Sequence, residues 1–577
     1  MHKLAQKKWL LIPGDPAAAA LIEKEVGCSA IVARLLVNRG ITTPQAAEAF
    51  LNPSWSQLPD PMLLPDVEVA AIRIKQALKH HEKIAIHGDY DSDGVTSAAL
   101  WMRMLQKLGA DVQVHVPHRG RDGYDIRQKF VEQASVDGVK LIITTDCGTQ
   151  RLDEVEMARH AGIDVIITDH HVPGDKLPDA VAVINPHRKD SLYPFKDMAG
   201  VGVAFRAGEA LVRYLGKSVD SYRRAYADLV AIGTITDIMP IIGDNRIFVK
   251  YGLDELGSTR KPGLRALLQA THLQGKQISA YHIGFIVGPR INAIGRLDDS
   301  KIALDLLMTR DINEASNLAS QLETANTDRK AEEQRIFAEA LEQAALCDFS
   351  ETFCLALSGY NWHPGVIGLV ANKIVERYNR PTIMIAMDQE TGIGRGSARS
   401  IRPFNIFNAI TECERFLLEF GGHSHAAGLS LDNTKVADFA REMNRIAGSL
   451  LTEEDLVPVL NVDSEIDPAE VCKSLLAEWG LMQPWGRGND EPLLVSRGLT
   501  ILKADKFGKE MNHMRLTLRT DDMEPTESIF WRAGEMVDHL PLGAKIDICY
   551  RPEINTYNNH SNVRFIIQDL HPADMDD

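Results

Sequence analysis

Short apolar runs alternate with helical patterns between Lys83 and Pro240. The runs KIAIHG, DVQVHV, KLIITTD, DVIITD and AVAVIN are rich in β-branched residues, which predicts short buried strands. The intervening segments GVTSAALWMRMLQKLG and LDEVEMARHAG have the apolar spacing of helices. Strands that alternate with helices form βαβ units, so this region is predicted to be α/β with a doubly wound parallel sheet.

The pattern differs on either side of this region. Segments such as SAIVARLLVNRG and TPQAAEAFL predict helices and turns near the start of the chain. A second α/β region is predicted at about residues 352–455. After it, five strand-like segments predict a small β-barrel, for which the OB-fold is the usual form in a nucleic-acid context. These segments are LLVSRGLTILKADKF, MRLTLRT, ESIFWRA, AKIDICYRP and VRFIIQDL.

A long, highly charged helical pattern occupies residues 310–346. It has two explanations, which are a solvated surface helix and a helix that connects two domains. Its position between two α/β regions favours the connecting helix. The predicted organisation is therefore an N-terminal helical region (1–78), an α/β domain (79–245), a helical connector (246–350), a second α/β domain (351–456) and an OB-like domain (457–577).

The charge balance does not by itself indicate a DNA-binding protein. The chain has 63 Lys and Arg residues, 79 Asp and Glu residues and a net charge of −16. Phosphate groups need cationic side chains or metal ions as partners. Any nucleic acid must therefore be held in local basic grooves and by bound metal.

Cysteine usage and the absence of long apolar stretches indicate a cellular compartment. The seven cysteines are scattered and form no CxxC pair, which argues against a disulfide framework and against a zinc finger. The first residues lack the apolar region of a secretory signal, and no stretch reaches the roughly 18 apolar residues of a membrane helix. We therefore expect a cytoplasmic protein.

Acidic and histidine residues follow the predicted strands and one predicted helix. They are His87, Asp91 and Asp93 in HGDYDSDG, Asp146 in TTDCG, Asp169, His170 and His171 in TDHH, and Asp237 in GTITD. In an open parallel sheet, ligands gather at the carboxyl ends of the strands, so the residues of the first three motifs are predicted to converge on one site. Carboxylates with imidazoles suit Mn²⁺ or Mg²⁺. Such a cluster of carboxylates is electrostatically costly without cations.

Each of these motifs has a simpler explanation when it is taken alone. A DxD pair in a glycine-rich turn is most often a turn with helix capping. A histidine pair at a strand end is usually hydrogen-bonded structure, and a single aspartate often caps the next helix. Their occurrence in order, each at the end of a predicted element, favours the metal site.

The ordered set HGDYDSDG, TTDCG, TDHH and GTITDIMP resembles the DHH phosphoesterase superfamily. The segment GGHSHAAG resembles the DHHA1 domain that follows the DHH domain there, and WHPGVIGLVANKI and PWGRGNDEPLL resemble the RecJ family within it. The resemblance spans about residues 80–577. It implies a DHH doubly wound parallel-sheet domain, a long connecting helix, a DHHA1 α/β domain and a C-terminal OB-like β-barrel.

The resemblance also implies two Mn²⁺ or Mg²⁺ ions that share a bridging carboxylate. His171 is expected to contact the scissile phosphate, and Asp169 to orient a histidine. The implied ligands form two groups that share Asp146, which are His87, Asp91 and Asp146 for one ion and Asp93, Asp146, His170 and Asp237 for the other.

Substrate-binding residues are predicted in segments further along the chain. GIGRGSARS and GGHSHAAG combine small residues, which let a phosphate approach backbone N–H groups, with arginine charge. A plain β-turn is the better explanation of GIGRGSARS taken alone. These two segments supply Arg395, Ser397, Arg399, Gly422 and His423, and we expect Ser397 and Arg399 to hold a terminal 5′-phosphate. GPRINAIGRLDD supplies Arg290, Asn292 and Arg296, and with Arg119 these arginines are candidates for the wall of a DNA cleft.

The function implied by the resemblance is a single-stranded-DNA-specific exonuclease. It would release 5′-mononucleotides from the 5′ end by two-metal hydrolysis in DNA recombination and repair. Expected partners are single-stranded DNA, single-strand-binding protein and a RecQ-like helicase, with no membrane. One alternative is a phosphodiesterase of the same fold for short oligonucleotides or cyclic dinucleotides, and another is a non-catalytic replication scaffold. The predicted barrel argues against the first, and the full ligand set argues against the second.

Overall fold

A computed structural model of the chain describes residues 7–117, 125–297, 301–557 and 560–573, without the side chains of residues 294–297, 557 and 560. The described part begins with one strand and three helices. These are β1 (Lys8–Leu11), α1 (Pro16–Val26), α2 (Ala30–Asn38) and α3 (Pro44–Leu51). Asp15, Ser29 and Thr43 cap the three helices through their side-chain oxygens, as short polar residues at this position do. The helices agree with the sequence prediction, and β1 is an addition to it.

The first α/β domain has a five-stranded sheet in the order β3-β2-β4-β5-β6, with every pair parallel. All residues of β2 and β4 are buried, because helices cover both faces of a doubly wound sheet. The doubly wound parallel sheet predicted from the sequence is confirmed. Its elements are α4 (Val67–His80), β2 (Ile84–Gly88), α5 (Ser92–Lys107), β3 (Val112–His115), α6 (Gln128–Val136), β4 (Leu141–Thr145), α7 (Leu152–His160), β5 (Asp164–Thr168), β6 (Ala182–Ile184), α8 (Gly200–Tyr214), α9 (Val219–Thr236) and α10 (Gly243–Gly257).

A helical connector follows. It contains α11 (Pro262–Ala270), α12 (Ala280–His282), which continues through a π-helical turn at Ile283–Val287 into α13 (Gly288–Leu297), α14 (Lys301–Met308) and α15 (Ile312–Ala344). Helix α15 has 33 residues and is therefore about 50 Å long. Its first half contributes Ala315 and Leu322 to the core of the first domain, and its second half contributes Ile336 and Ala340 to the next core. The interpretation as a connecting helix is confirmed.

The second α/β domain has strand order β10-β11-β9-β8-β7, with only β7 and β8 parallel among these pairs. The segment GIGRGSARS forms β9 rather than a turn, and GGHSHAAG forms the hairpin of β10 and β11. The domain comprises β7 (Leu355–Tyr360), α16 (Ile367–Tyr378), β8 (Thr382–Met387), β9 (Ile393–Arg399), α17 (Ile406–Glu412), β10 (Leu417–His423), β11 (Ala426–Asp432) and α18 (Val436–Leu450).

The C-terminal domain is a β-barrel, as the sequence predicts. Strands β14, β15, β16, β18 and β17 follow one another around it, and pairing of β17 with β14 closes the barrel. Its elements are β12 (Val459–Val462), β13 (Ser464–Glu465), α19 (Lys473–Leu481), β14 (Leu494–Phe507), β15 (His513–Arg519), β16 (Thr526–Phe530), β17 (Lys545–Tyr557) and β18 (His560–Pro572). Short 3₁₀ turns lie at Trp55–Gln57, Pro61–Leu63, Glu414–Phe416, Asn433–Lys435, Glu454–Leu456, Pro468–Glu470 and Gly534–His539.

The N-terminal helices pack on the C-terminal barrel. Ile22 and Leu36 share one hydrophobic core with Trp479 and Leu516, and β1 pairs in parallel with β12. The Trp9 side chain stacks on the His571 ring at 4.1 Å between centroids. The N-terminal region therefore forms part of the same unit as the barrel.

Arg246 joins this unit to the first α/β domain. Its guanidinium is buried on α10 and donates to the backbone carbonyls of Phe50 (3.0 Å), Met482 (2.9 Å) and Leu481 (3.0 Å). Burial lowers the pKa of Arg246 to about 10, and the group stays charged at neutral pH. One side chain thus contacts two segments that are far apart in sequence, at Phe50 and at Leu481 and Met482. Among the helices of the described residues, none is long and apolar enough to cross a membrane.

Candidate metal centre

The predicted metal-binding motifs meet at the carboxyl edge of the first sheet. Strands β2, β4 and β5 are neighbours, and Asp89, Asp146 and Asp169 follow shortly after their last residues. Asp237 reaches the same place as the C-cap of α9. The convergence expected of an open parallel sheet is therefore observed.

Asp91 and Asp93 are fixed by two helix N-termini. One oxygen of Asp91 accepts hydrogen bonds from the backbone N–H groups of Asp93 (2.9 Å) and Gly94 (3.1 Å) at the start of α5. Asp93 accepts from Gly200 (2.6 Å) and Val201 (2.8 Å) at the start of α8. The helix-capping explanation of this motif thus holds for Asp91, and capping orients both carboxylates toward the sheet edge.

Asp146 occupies the centre of the cluster. Its φ of 60° is left-handed, and its backbone N–H donates to the carbonyl of Thr168. Its Oδ1 atom lies 3.1 Å from Nε2 of His170, which in turn lies 3.8 Å from Oδ2 of Asp237. A Cβ atom on Gly200 would lie 2.6 Å from the Cβ of Asp146, so only glycine fits there.

Among the residues that the structure describes, three sets of side chains bring ligand atoms within 4.8 Å of one another. Asp146 belongs to two of these sets, in keeping with the bridging position predicted for it. The sets are Asp89, Asp91 and Asp146, then Asp93, His170 and Asp237, and finally Asp146, His170 and His171. Asp89 is a candidate ligand that sequence reasoning missed, although the alternating acids of GDYDSDG were a signal for it.

His87 occupies a different environment from the one predicted. Its ring packs against Phe130 at 4.5 Å and against His115 at 5.2 Å between centroids. Neither ring nitrogen has a hydrogen-bond partner within the described residues. Burial, followed by the nearby His115, lowers the pKa of His87 to about 3, so the ring is neutral. The geometry favours Asp89 over His87 as the third member of the set with Asp91 and Asp146.

Electrostatics show that this donor set fits divalent cations. Burial, and then repulsion from Asp91, raises the pKa of Asp89 to about 8 and that of Asp93 to about 7. Burial and neighbouring carboxylates also raise the pKa values of Asp146 and Asp237 well above the usual range. Asp89 Oδ1 and Asp237 Oδ2 have no hydrogen-bond partner among the described residues. Cations at these oxygens would remove the repulsion, and oxygen with imidazole ligands suits Mn²⁺ and Mg²⁺.

Asp169 orients His171. One oxygen of Asp169 accepts from the backbone N–H groups of His170 (2.7 Å) and His171 (3.1 Å), and it lies 2.8 Å from Nδ1 of His171. Burial lowers the pKa of His171, but the hydrogen bond to Asp169 and the charges of Asp169, Asp237 and Asp93 together outweigh burial and raise it to about 9. The His171 side chain is 44% exposed, against 12% for His170. The fixed, cationic and accessible ring has the properties of a phosphate contact.

The predicted phosphate-binding residues lie in the second α/β domain. Ser397 and Arg399 share one face of β9, and Arg399 Nη1 donates to Ser397 Oγ at 3.0 Å. A Cβ atom on Gly368, in α16, would lie 2.9 Å from Ser397 Oγ and 3.0 Å from Arg399 Nη2. The glycine therefore lets the hydroxyl and the guanidinium pack directly against the start of α16. Gly368 lies in the segment WHPGVIGLVANKI, and the sequence alone did not predict this contact.

The remaining residues predicted to bind the substrate are exposed, engaged in contacts within the fold, or outside the described residues. Arg395 is exposed on the same strand, and Gly422 and His423 are exposed near the β10–β11 turn.

The guanidinium of Arg290 is paired with Glu323 of α15 and donates to the Ile286 carbonyl, which satisfies its charge within the fold. Asn292 accepts from the backbone N–H (2.8 Å) and hydroxyl (2.7 Å) of Ser92, and thereby supports the start of α5. Arg119 and the Arg296 side chain lie outside the described residues.

Sequence models of three domain families match the chain in this order. The DHH family, N-terminal domain, matches residues 83–234, the DHHA1 domain matches residues 351–449, and the RecJ OB domain matches residues 462–569. The single-stranded-DNA-specific exonuclease RecJ of Bacillus subtilis is 36% identical over 98% of this chain and 71% of its own length. The chain belongs to the RecJ family.

Two solved RecJ structures from Thermus thermophilus have the same fold. The complex with Mn²⁺ is 29% identical, covers 100% of this chain and 80% of its own, and gives a TM-score of 0.84. The complex with Mg²⁺ is 28% identical, covers 100% of this chain and 79% of its own, and gives a TM-score of 0.78. The Thermus thermophilus RecJ therefore binds the two metals to which the donor set of this chain is suited.

Proposed function

We propose that the chain is a metal-dependent exonuclease that hydrolyses single-stranded DNA from the 5′ end and releases 5′-mononucleotides. One observation carries the proposal. Five carboxylates and two imidazoles meet at one sheet edge in a chain of the RecJ family. DNA recombination and repair are the processes that such an activity would serve.

The two metal ions would be held by ligands that share Asp146. Asp89 and Asp91 would complete one site, and Asp93, His170 and Asp237 the other, with His87 as a more distant candidate. When bound, such a pair of ions activates a water molecule and stabilises the charge that develops on the phosphate. Asp169 holds the His171 ring in place, and we assign a contact with the scissile phosphate to that ring.

Recognition of the 5′ end requires a second site, because a phosphodiester-cleaving metal centre has no intrinsic direction. We assign this site to the surface formed by Gly368, Ser397 and Arg399. A terminal phosphate carries more negative charge than an internal one, so a guanidinium, a hydroxyl and the start of α16 favour it. The exposed Arg395 lies on β9, and the exposed Gly422 and His423 lie on β10, with β11 between the two strands. We propose that these residues line the approach.

Selection of single strands is proposed to come from the arrangement of the domains. Helix α15 contributes to the cores of both α/β domains. It would thereby fix the distance between the metal centre and the proposed site for the terminal phosphate. A cleft of this kind would admit one strand and exclude a duplex. The barrel would bind a further part of the strand through base stacking and contacts with phosphates.

Two other functions fit the sequence less well. A phosphodiesterase for short oligonucleotides or cyclic dinucleotides has no use for a barrel that matches the RecJ OB domain. A non-catalytic scaffold has no reason to keep a complete set of ligand atoms within 4.8 Å. Both observations favour an enzyme that acts on a polymer.

The proposed polarity is tested with one oligonucleotide labelled separately at each end. With Mn²⁺ present, the 5′ label should appear at once as a mononucleotide, whereas the 3′-labelled strand should shorten gradually. A blunt duplex of the same sequence should be degraded much more slowly, and a chelator should stop both reactions. Release of the 3′ label first would contradict the proposed polarity, and equal rates on the duplex would contradict single-strand selectivity.

Partners, location and domain limits are proposed on the family resemblance. We propose that single-strand-binding protein and a RecQ-like helicase act together with the enzyme, in the cytoplasm. The seven cysteines are all free, as a reducing compartment requires. The functional units proposed are residues 79–245, 351–456 and 457–577, with residues 246–350 as the connector. Co-purification of the full chain with single-strand-binding protein, tested with and without DNA, checks the first partner.

A further inference from the structure

A short loop between α19 and β14 is held rigidly. It comprises residues 483–490 (QPWGRGND) and is called the 483–490 loop below. The backbones of Gly486 and Asn489 exchange hydrogen bonds of 3.0 and 2.9 Å across the loop. The Asn489 side chain donates to the carbonyls of Met482 (2.8 Å) and Pro484 (2.9 Å) and accepts from Arg39 (3.0 Å). Arg487 is exposed at the tip of this loop.

The tip of the loop packs against the segment that follows the candidate ligand Asp237. The backbone N–H of Ile241 donates to the carbonyl of Arg487 at 2.7 Å. A Cβ atom on Gly486 would lie 2.7 Å from Cγ1 of Ile241, and one on Gly488 would lie 3.2 Å from Cβ of Pro240. The two glycines on either side of Arg487 therefore allow a close backbone approach that larger residues would prevent.

This packing places the Arg487 side chain beside the metal centre. Its Nη1 atom donates to the backbone carbonyl of Ile238 at 3.3 Å, and Ile238 directly follows Asp237 in the chain. Within the part of the chain that the structure describes, the guanidinium forms no ion pair with a carboxylate.

An arginine at the rim of an acidic cluster needs a physical reason. The chain has a net charge of −16, so a polyanion can approach only where positive charge is presented locally. Arginine has five N–H donors in a planar fork that matches phosphate oxygens. The single bond to the Ile238 carbonyl leaves most of these donors available and fixes the direction of the side chain.

We infer that Arg487 binds a phosphate of the DNA strand at the Asp237 side of the metal centre. The inference rests on the proposed function and adds a substrate-binding residue to it. The 483–490 loop, and not only the two α/β domains, would then form the edge of the site. A structural role is the competing explanation, in which Arg487 only tethers the loop to Ile238.

Two substitutions separate these explanations. Removal of a phosphate contact should raise KM in Arg487→Ala on the order of tenfold, with a smaller effect on kcat, since one charged hydrogen-bonding group is lost. The slope of log KM against log salt concentration should fall by about 0.7, the value for one phosphate contact on a single strand. Arg487→Lys keeps the charge and should recover most of the salt slope. Arg441→Ala serves as the control, because Arg441 is an 80% exposed arginine on α18 that is paired with Asp438.

Mn²⁺ binding and thermal unfolding of each variant complete the test. If Arg487 binds phosphate, Mn²⁺ affinity and melting temperature should stay near those of the unmodified protein. An unchanged KM and salt slope in Arg487→Ala would overturn the inference. So would an equal loss of melting temperature and activity in the Ala and Lys variants, because that result means tethering. If the unmodified protein shows no Mn²⁺-dependent activity on single strands, the proposed function itself fails, which is a separate result.

Discussion

The Nε2 atom of His170 lies 3.1 Å from Oδ1 of Asp146. This contact joins two sets of candidate ligands that come from neighbouring strands, because Asp146 also belongs to the set with Asp89 and Asp91. Removal of Asp146 therefore affects both sets at once.

Asp146→Ala is expected to be the most damaging single substitution in the metal centre. Activity should fall to below a few per cent of the unmodified rate, even at saturating Mn²⁺. The fold should persist, because removing one of several buried and mutually repelling carboxylates relieves electrostatic cost. Digestion rate, Mn²⁺ stoichiometry and melting temperature check this together, with the exposed Asp438→Ala as the control. Retention of more than a few per cent of the rate would exclude a bridging role.

Asp89 and His87 offer a direct comparison of two candidate ligands. Asp89→Asn is expected to weaken Mn²⁺ binding on the order of tenfold to a hundredfold, since a carboxylate becomes a neutral amide. His87→Gln should have a smaller effect on Mn²⁺ affinity, because the His87 ring packs against Phe130 and His115. Titration with Mn²⁺ measures both affinities. A larger loss in the His87 variant would restore the ligand set expected from the sequence.

Arg399→Ala is expected to remove most of the preference for 5′-phosphorylated over 5′-hydroxyl strands. The loss should be about 1.5–3 kcal/mol, as for a hydrogen bond to a charged group. Gly368→Ala should act in the same direction, because its Cβ would lie only 2.9 Å from Ser397 Oγ and 3.0 Å from Arg399 Nη2 and would displace both groups. The ratio of kcat/KM on paired substrates is the measurement. Gly257→Ala is the control, since a Cβ there meets nothing within 4 Å. An unchanged ratio in both variants would place the terminal phosphate elsewhere.

Deletion of the barrel alone is expected to destabilise the protein. Ile22, Leu35 and Leu36 are fully buried in the core shared with the barrel, and each would lose about 1.5–3 kcal/mol when uncovered. A variant that lacks residues 1–51 together with residues 459–577 avoids this exposure. It should remain monodisperse and keep kcat on short oligonucleotides, with weaker binding of long strands. Size-exclusion chromatography and limited proteolysis compare the two variants. A monodisperse, protease-resistant protein after the single deletion would contradict the shared core.

Regular patterns in the sequence predicted much of the fold. Strands β2 and β4 are buried on both faces and therefore appear as unbroken apolar runs such as KLIITT. The glycines of GIGRGSARS suggest a turn, but Gly396 lies in strand β9. A glycine is needed there because a Cβ would lie 2.6 Å from Cδ1 of Leu429. Local composition did not reveal this packing.

The sequence likewise predicted the parts of the site that lie within local motifs, but not the contacts between residues that are distant in the chain. The order of motifs along the sheet predicts the cluster of aspartates. Asp89 enters it because Gly94 allows a backbone approach in which a Cβ would lie 2.4 Å from the Asp89 carbonyl oxygen. Arg487 reaches Ile238 from 249 positions away in the chain, and no local pattern encodes such a contact.

The pairing of the first helices with the last domain has a consequence for biosynthesis. Residues 8–51 leave the ribosome long before the barrel does, and the surface that buries them is complete only after β18 at His560–Pro572 has been made. At about 5–20 residues per second, the delay is on the order of a minute. Throughout that time the apolar faces of α1, α2 and α3 are not yet packed against the barrel. The nascent segment 8–51 therefore exposes its apolar residues while the metal-binding domain folds behind it.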